Sequence, residues 1–499
     1  MSTLALELSD AAFLTAICEG DAPHLIDVPD KHGSTDWPGF CYADGPHLSF
    51  GRSAEDMWFV HPRRVAHNIW QRLTHEPASL VVGTKAPSFS ELAFFFLREF
   101  WTRAQQAAPA HERLVLALPG AYLKDAATEE EKIGLLLGMA GELKLPLAGM
   151  IDLAAASLCD PRAPGFNPAL PIVVVDLHLD DGDFTLFTAD TALTRRDYQH
   201  LPQAGLAQLV KQLTGTMGNR FLRHTAFDIL EDGRIEQTFF RQTKEFFVGE
   251  APEFRFHINT ANRVYEMLAK REQLAADAQP FVASLVASLQ AFLQHSAHAS
   301  DPCTIALTHR AACLPGLEAR LRHAGYPRLL RLPAGAAACG AARIGATRLR
   351  VHADLAEVPV ETSVPLSATR RLASAQWEAR LAKLPRDGAP RPAPTHAILD
   401  GIGHALGAGR RFTIGNPDQR PDLLLPATFS AADGCSIALV HDDGKFWLPD
   451  TALGRTGGSD TAARTLVESG DRLNVRCGSH HTEVLFVHCP LPSAWARPQ

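Results

Sequence analysis

The sequence has no pair of closely spaced cysteines. Its nine cysteines stand at 18, 41, 159, 303, 313, 339, 435, 477 and 489, an odd number without a Cys-x-x-Cys pair. Free thiols in a reducing compartment are expected, not a disulfide framework or a zinc site, which makes the expected location cytoplasmic. The chain opens without a basic stretch leading into an apolar core, so no secretory signal is expected. No run approaches the roughly 18–20 apolar residues of a spanning helix, so no membrane span is expected. Basic charge is not in excess. The formal net charge of −7 is not the footprint of a nucleic-acid-binding protein. Gly-x-Ser-x-Gly, His-Glu-x-x-His and Walker-type motifs are missing as well. No residue therefore declares itself catalytic, and no set of side chains declares a metal site.

What is present is a foldable composition. The 499 residues are 46% apolar and 21% charged. That is typical of soluble domains, and the length suits about two to four of them. The β-branched run Ile172 to Val175 ends in Asp176. A polar turn with Gly182 and a second apolar run, Phe184 to Phe187, follow. This reads as a β-hairpin with its tip placed to face a ligand. The tip carries Asp176, Asp180, Asp181 and Asp183. It lacks the closing glutamate of a calcium loop and reads as a solvated acidic turn.

A similar hairpin pattern occupies residues 3–17, and a further strand and turn lie near 303–308. Strands are predicted over 114–118, 147–151 and 329–332. Helices are predicted over 62–75, 89–106, 125–144, 152–158, 204–224, 234–247 and 260–298. Asp125 is the expected cap of its helix. The small residues of 333–342 predict a helix that packs closely. Beyond them come an alternating stretch over 351–366, a predicted helix over 368–384, and a proline-rich linker at 385–394. Short strands separated by Gly, Asp, Asn and Pro turns fill 396–490, the pattern of an all-β sandwich.

In this order the chain resembles the ATPase domain of DnaK-type heat-shock chaperones, in the actin and sugar-kinase superfamily. Glu7-Leu8-Ser9-Asp10-Ala11 falls where that family has its first phosphate hairpin, Asp-Leu-Gly-Thr-Thr. Trp37-Pro38-Gly39 and Phe50 to Ala54 echo the segments that follow it, and Leu114 to Pro119 echoes the strand that ends in proline. Asp176 to Asp181 falls on the second phosphate hairpin, Asp-Leu-Gly-Gly-Gly-Thr. His309 to Pro315 falls on the adenosine loop, and Gly335 to Ala342 on the closing small-residue helix. The resemblance implies a two-lobed α/β actin-like (ribonuclease-H-like) ATPase fold over residues 1–345. Residues 346–394 are then an extension and linker, and 395–499 a β-sandwich.

The departures bear on function. Phosphate loops use glycine because its backbone can approach the oxygens closely and turn N–H groups toward them. Here the first loop has lost its glycine and both hydroxyl residues and has gained Asp10. The second carries His178, Leu179 and Asp180 where the family has glycines, and the adenosine loop carries His309 and Arg310. The resemblance leaves Asp176, Gly182, Lys244 and Arg310 as candidate nucleotide contacts. Asp176 would be a magnesium-water ligand. Lys244 would end the adenosine-clasping Glu-x-x-Lys, whose first position is Arg241 here. The expectation is a pseudo-ATPase with no required cofactor, acting as a non-catalytic scaffold for protein partners, an active DnaK-like relative among them. The alternative is an ATP-binding chaperone-like ATPase that takes Mg-ATP or Mg-ADP through atypical loops.

The C-terminal region resembles a forkhead-associated (FHA) domain at Phe412 to Gly415, Gly434 to Ala438 and Gly470 to Leu473. Asn416 stands where that family has its phosphate-binding arginine, while Ser436 matches the family serine. Gly454 to Ser459 holds no asparagine at the third recognition position. Arg420 and Arg455 are the candidate replacements for the phosphate-binding charge. Packing or phosphate-independent binding is the first expectation for this module.

Overall fold

The computed structural model describes residues 2–489 apart from 21, 110, 169, 190, 298–302, 353, 366–376, 384–390, 400–401, 407–410, 416–420, 426–435, 450–463 and 478–479. The chain divides into two units, residues 1–164 with 168–366, and residues 367–499 with 165–167.

The first unit opens with an antiparallel meander, β1 (Ser2–Glu7), β2 (Leu14–Glu19) and β3 (Ala22–Ile26). Strands β4 (Cys41–Asp44), β5 (His47–Phe50) and β6 (Val65–Ala66) make a small separate sheet, with α1 (Arg52–Glu55) between the last two. Helix α2 (Phe89–Ala107) starts at a Ser88/Glu91 capping box and leads to β7 (His111–Leu118), parallel to β1. Asp125 caps α3 (Ala126–Leu143), which leads to β8 (Leu147–Asp152), parallel to β7. Helix α4 (Leu153–Leu158) follows, capped by Asp152.

The same order then repeats. Strands β9 (Ile172–Leu177), β10 (Gly182–Ala189) and β11 (Ala192–Leu201) form a second antiparallel meander. Helices α5 (Leu206–Thr225) and α6 (Gly233–Val248), the hairpin β12 (Glu253–Asn259)/β13 (Val264–Lys270) and α7 (Arg271–His295) come next. Strand β14 (Thr304–Leu307) runs parallel to β9 and is followed by α8 (His309–Ala312) and α9 (Leu317–His323). Strand β15 (Leu329–Arg331) runs parallel to β14, and α10 (Ala336–Arg348) closes the repeat. Short strands β16 (Val360–Glu361) and β17 (Ser363–Pro365) add to β8 and β11, so one segment joins the outer strands of both sheets. The sheet orders are β16-β8-β7-β1-β2-β3 and β15-β14-β9-β10-β11-β17.

Each half has its own core, with Phe96, Phe100 and Trp70 central to one and Phe221, Phe239 and Phe256 to the other. Strands β1, β8 and β9 are buried at every position. Their middle residues, 4–6, 147–151 and 172–175, accordingly carry no polar side chain and do not alternate. The close packing expected of the small-residue helix is present: a Cβ at Gly340 would lie 1.8 Å from the Ala156 carbonyl oxygen of α4.

Several elements differ from expectation. Residues 62–75 hold a single 3-10 turn at Pro62–Arg64 and the short β6, not a helix. Asn68 has a left-handed backbone at φ 51°, and the next residues bond to Asp10 across the fold, which interrupts the helical ladder. Residues 260–270 belong to the β12/β13 hairpin, so the helix begins only at Arg271. Within 368–384, the described residues Trp377–Ala382 are a strand, β18, paired with a later strand of the second unit. Strand β11 carries polar residues along much of its length and gives little apolar signal in sequence.

After β18 the second unit continues through β19 (His396–Leu399), β20 (Ile402–Ala405), β21 (Arg411–Gly415) and β22 (Leu423–Leu424). Then come β23 (Ser436–Asp442), β24 (Lys445–Pro449), β25 (Arg464–Val467), β26 (Arg472–Cys477) and β27 (His480–Val487). Two five-stranded sheets result, β18-β26-β27-β19-β20 and β22-β21-β23-β24-β25. Both send side chains into one core, Val475, Val484 and Phe486 from the first and Ile414, Ile437 and Leu439 from the second. Buried Asp471 accepts from the Glu468 N–H at 2.8 Å and from Lys383 Nζ at 2.6 Å, fixing the turn before β26. Among the described residues, no helix is long and apolar enough to cross a membrane.

Candidate functional site

The two halves of the first unit present equivalent strand ends to each other. Strand β1 ends in Glu7, and β9 carries Asp176 one residue from its end. Arg310, at the start of α8, reaches both. Its Nη1 lies 2.6 Å from Glu7 Oε1. Its Nη2 and Nε lie 2.7 and 3.1 Å from the two oxygens of Asp176. Thr308, which also caps α8, donates its hydroxyl to Asp176 Oδ1 at 2.6 Å, and the Leu177 N–H donates to the same oxygen at 2.8 Å. All three charged groups are buried.

The two carboxylates share the arginine unequally. Burial works to raise the Asp176 carboxyl. The charges of Arg310 and His178 and the hydrogen bonds from Arg310 and Thr308 outweigh it and hold the group well below the usual carboxylate range. Glu7 has a single bond from Arg310, and there burial prevails and raises the carboxyl. Burial alone would weaken the Arg310 base, but Asp176 and Glu7 hold its proton more firmly than usual. Removing either side would leave an uncompensated buried charge, the costly outcome for such groups.

The acidic tip between β9 and β10 is not solvated. Asp181 and Asp183 are buried, and Asp180 is half-buried. The opposite half and β11 pack over the tip and, with the tip's own His178, supply its partners. His178 Nε2 lies 3.0 Å from Asp183, His200 Nε2 lies 2.6 Å from Asp181, and His67 Nδ1 lies 2.9 Å from Asp180. Gln71 Nε2 donates to Asp181. Burial would lower the His178 imidazole, but the surrounding carboxylates of Asp176, Asp183 and Asp181 push it up to about 10.

Asp10, in the loop after β1, fastens two other loops of its own half. Its carboxylate accepts the N–H groups of Trp70 and Gln71 at 3.0 and 2.6 Å, and its carbonyl accepts the Gly39 N–H at 2.8 Å. Burial raises the Asp10 carboxyl to about 7 despite these bonds, with Asp180 and Asp181 adding to the rise. A further link crosses the halves where Arg195 Nη1 meets the buried Asp152 at 2.7 Å. The space enclosed by Ser9, Asp10, Trp70, Gln71, Tyr122, His178 and Asp181 is about 20 Å³. That holds a water molecule and nothing of nucleotide size.

Two of the candidate residues, Asp176 and Arg310, meet in this cluster. Gly182 begins β10 beneath it. A Cβ there would lie 2.9 Å from the Asp176 carbonyl oxygen, so this glycine serves close backbone approach. Lys244 belongs to a separate cluster, 2.8 and 3.0 Å from the two oxygens of Glu55 and 3.8 Å from Asp36. The partners that sequence reasoning missed are Glu7 as an ion-pair partner, Thr308, Gln71 and His200. They lie far apart in the chain, and no local pattern marks them. In the second unit, Ser436 opens β23 directly opposite Gly415 of β21. Arg420 and Arg455 lie outside the described residues. No protein-family model and no curated protein sequence matches the chain.

Proposed function

We propose that the first unit is a DnaK-type, actin-like ATPase fold that has given up nucleotide turnover, and that the protein works as a non-catalytic scaffold for protein partners. The observation that carries this is the Arg310 guanidinium held between Glu7 and Asp176. A cation supplied by the chain itself stands between the two strand-end carboxylates, where the DnaK-like reading would put magnesium and phosphate. The repeated meander-plus-parallel order of the two sheets supports the actin-like reading. So does the position of both acidic residues at corresponding strand ends. The links made by Glu7, Asp152 and Asp181 join the two halves through the chain's own side chains.

The second unit fits an FHA-like module used for phosphate-independent contacts. Its two sheets share a core, and Gly415 and Ser436 lie side by side as they would in that family. Asn416 replaces the family arginine there.

The test is calorimetric titration of the full chain with Mg-ATP and Mg-ADP, paired with thermal unfolding. A ligand at about 100 times its dissociation constant would stabilise the fold by roughly 2.7 kcal/mol, an easily measured shift. Neither heat nor shift is expected. Micromolar binding of either nucleotide would overturn the proposal and favour an atypical ATPase.

A further inference from the structure

A second cleft lies away from the Arg310 cluster, between α7 and the turn that joins β11 to α5. Its volume is about 230 Å³, and its walls are Leu201, Gln203, Phe281, Ser284, Leu285 and Ser288, with Pro202 and Ala204 completing the turn. The α7 residues 281, 284, 285 and 288 follow helical spacing, which sets them on one face. Leu201, Ala204 and Leu285 are buried and make an apolar floor, and Phe281 is half-buried beside them.

Two features define what this cleft can take. No charged side chain lines it, so phosphate, carboxylate and metal ions find no counter-charge. Its neutral polar groups are also uncommitted. Helical hydroxyls elsewhere in the chain bond back to their own helix, as Thr214, Thr216, Thr238 and Thr243 do at 2.8–3.1 Å from the carbonyl four residues earlier. Ser284 and Ser288 do not, and among the described residues neither they nor Gln203 have a side-chain hydrogen-bond partner. An apolar floor with a few neutral donors and acceptors at its rim suits a ligand that has both an apolar face and hydroxyl groups.

We propose that this cleft binds an uncharged, hydroxyl-bearing ring of monosaccharide size, with its C–H face on Phe281 and Leu285 and its hydroxyls on Ser284, Ser288 and Gln203. This goes beyond the scaffold reading and stands independently of whether the Arg310 cluster excludes nucleotide.

The experiment titrates the full chain with D-glucose, N-acetyl-D-glucosamine and myo-inositol by calorimetry and saturation-transfer NMR, with glucose 6-phosphate and toluene as comparators. At least one neutral ring binds, glucose 6-phosphate binds more weakly than glucose, and Ser284→Ala and Ser288→Ala each weaken binding roughly fivefold. Ser284→Trp, at an exposed position, closes the cleft and abolishes binding with the thermal midpoint unchanged. The proposal is overturned if no neutral ring binds, if the two serine variants bind as the wild type does, or if toluene is preferred over every hydroxylated ring.

Discussion

The guanidinium of Arg310 meets the carboxylate of Asp176 side-on, with Nη2 2.7 Å from one oxygen and Nε 3.1 Å from the other. The two residues are 134 positions apart in sequence, yet this bidentate pair, with Glu7 as its third member, decides how the cleft of the first unit is filled. Fork-to-fork geometry of this kind is specific to arginine.

Breaking that pair should be expensive. Arg310→Ala leaves Asp176 and Glu7 with only His178 as a nearby counter-charge, and a loss of about 3–5 kcal/mol is expected in chemical denaturation. The triple variant Arg310→Met, Glu7→Gln, Asp176→Asn removes all three charges and should recover much of that loss. Equal instability of the single and triple variants would show that the arginine matters for its packing and not for its charge.

Asp10 should make stability fall as pH rises. Its folded carboxyl titrates at about 7 against an ordinary value of 3.8, so the folded state holds the proton more tightly. The stabilising contribution is complete below the unfolded value and is lost between about pH 4 and 7. Asp10→Asn gives up one backbone hydrogen bond, about 1 kcal/mol, but removes this slope. Denaturation midpoints across that window should decline less steeply in the variant than in the wild type.

His178 acts in a later window. Its imidazole is raised from 6.5 to about 10 by the surrounding carboxylates. The charged histidine therefore contributes fully below pH 6.5, and its contribution disappears as pH climbs toward 10. His178→Gln should flatten the alkaline limb of the stability profile. An unchanged alkaline limb would mean that the buried imidazole is neutral throughout.

Two glycine substitutions should have opposite signs. Gly340→Ala places a methyl 1.8 Å from the Ala156 carbonyl oxygen, where α10 crosses α4, and should cost at least about 1–3 kcal/mol. Gly134→Ala, inside α3 with no atom within 4 Å of the added Cβ, should stabilise by about 0.5–1 kcal/mol. Thermal and chemical unfolding of the two variants read both effects.

Much of the framework could be read locally. The β-branched run of β9, the capped helices α2 and α3, and the small-residue helix α10 each announce themselves through neighbouring residues alone. Local reading failed where long-range partners prevail. The apolar spacing of 62–75 suits a helix, but Asp10 takes the N–H groups of Trp70 and Gln71 and the segment becomes largely irregular, with only a 3-10 turn and the short β6. Trp377 to Ala382 is a strand because β26 lies alongside it.

The primary sequence by itself determined which residues are available: carboxylates at the ends of β1 and β9, a hairpin tip without phosphate-loop glycines, and an arginine after β14. Local propensity and spacing carry that information because they act between neighbours. Only the tertiary structure decided that the acidic tip is buried, that Arg310 stands between Glu7 and Asp176, and that Lys244 turns to Glu55 instead. The reason is physical: a charge leaves water only where opposite charges and hydrogen bonds from distant segments converge on it, and that convergence exists only after the two halves pack together.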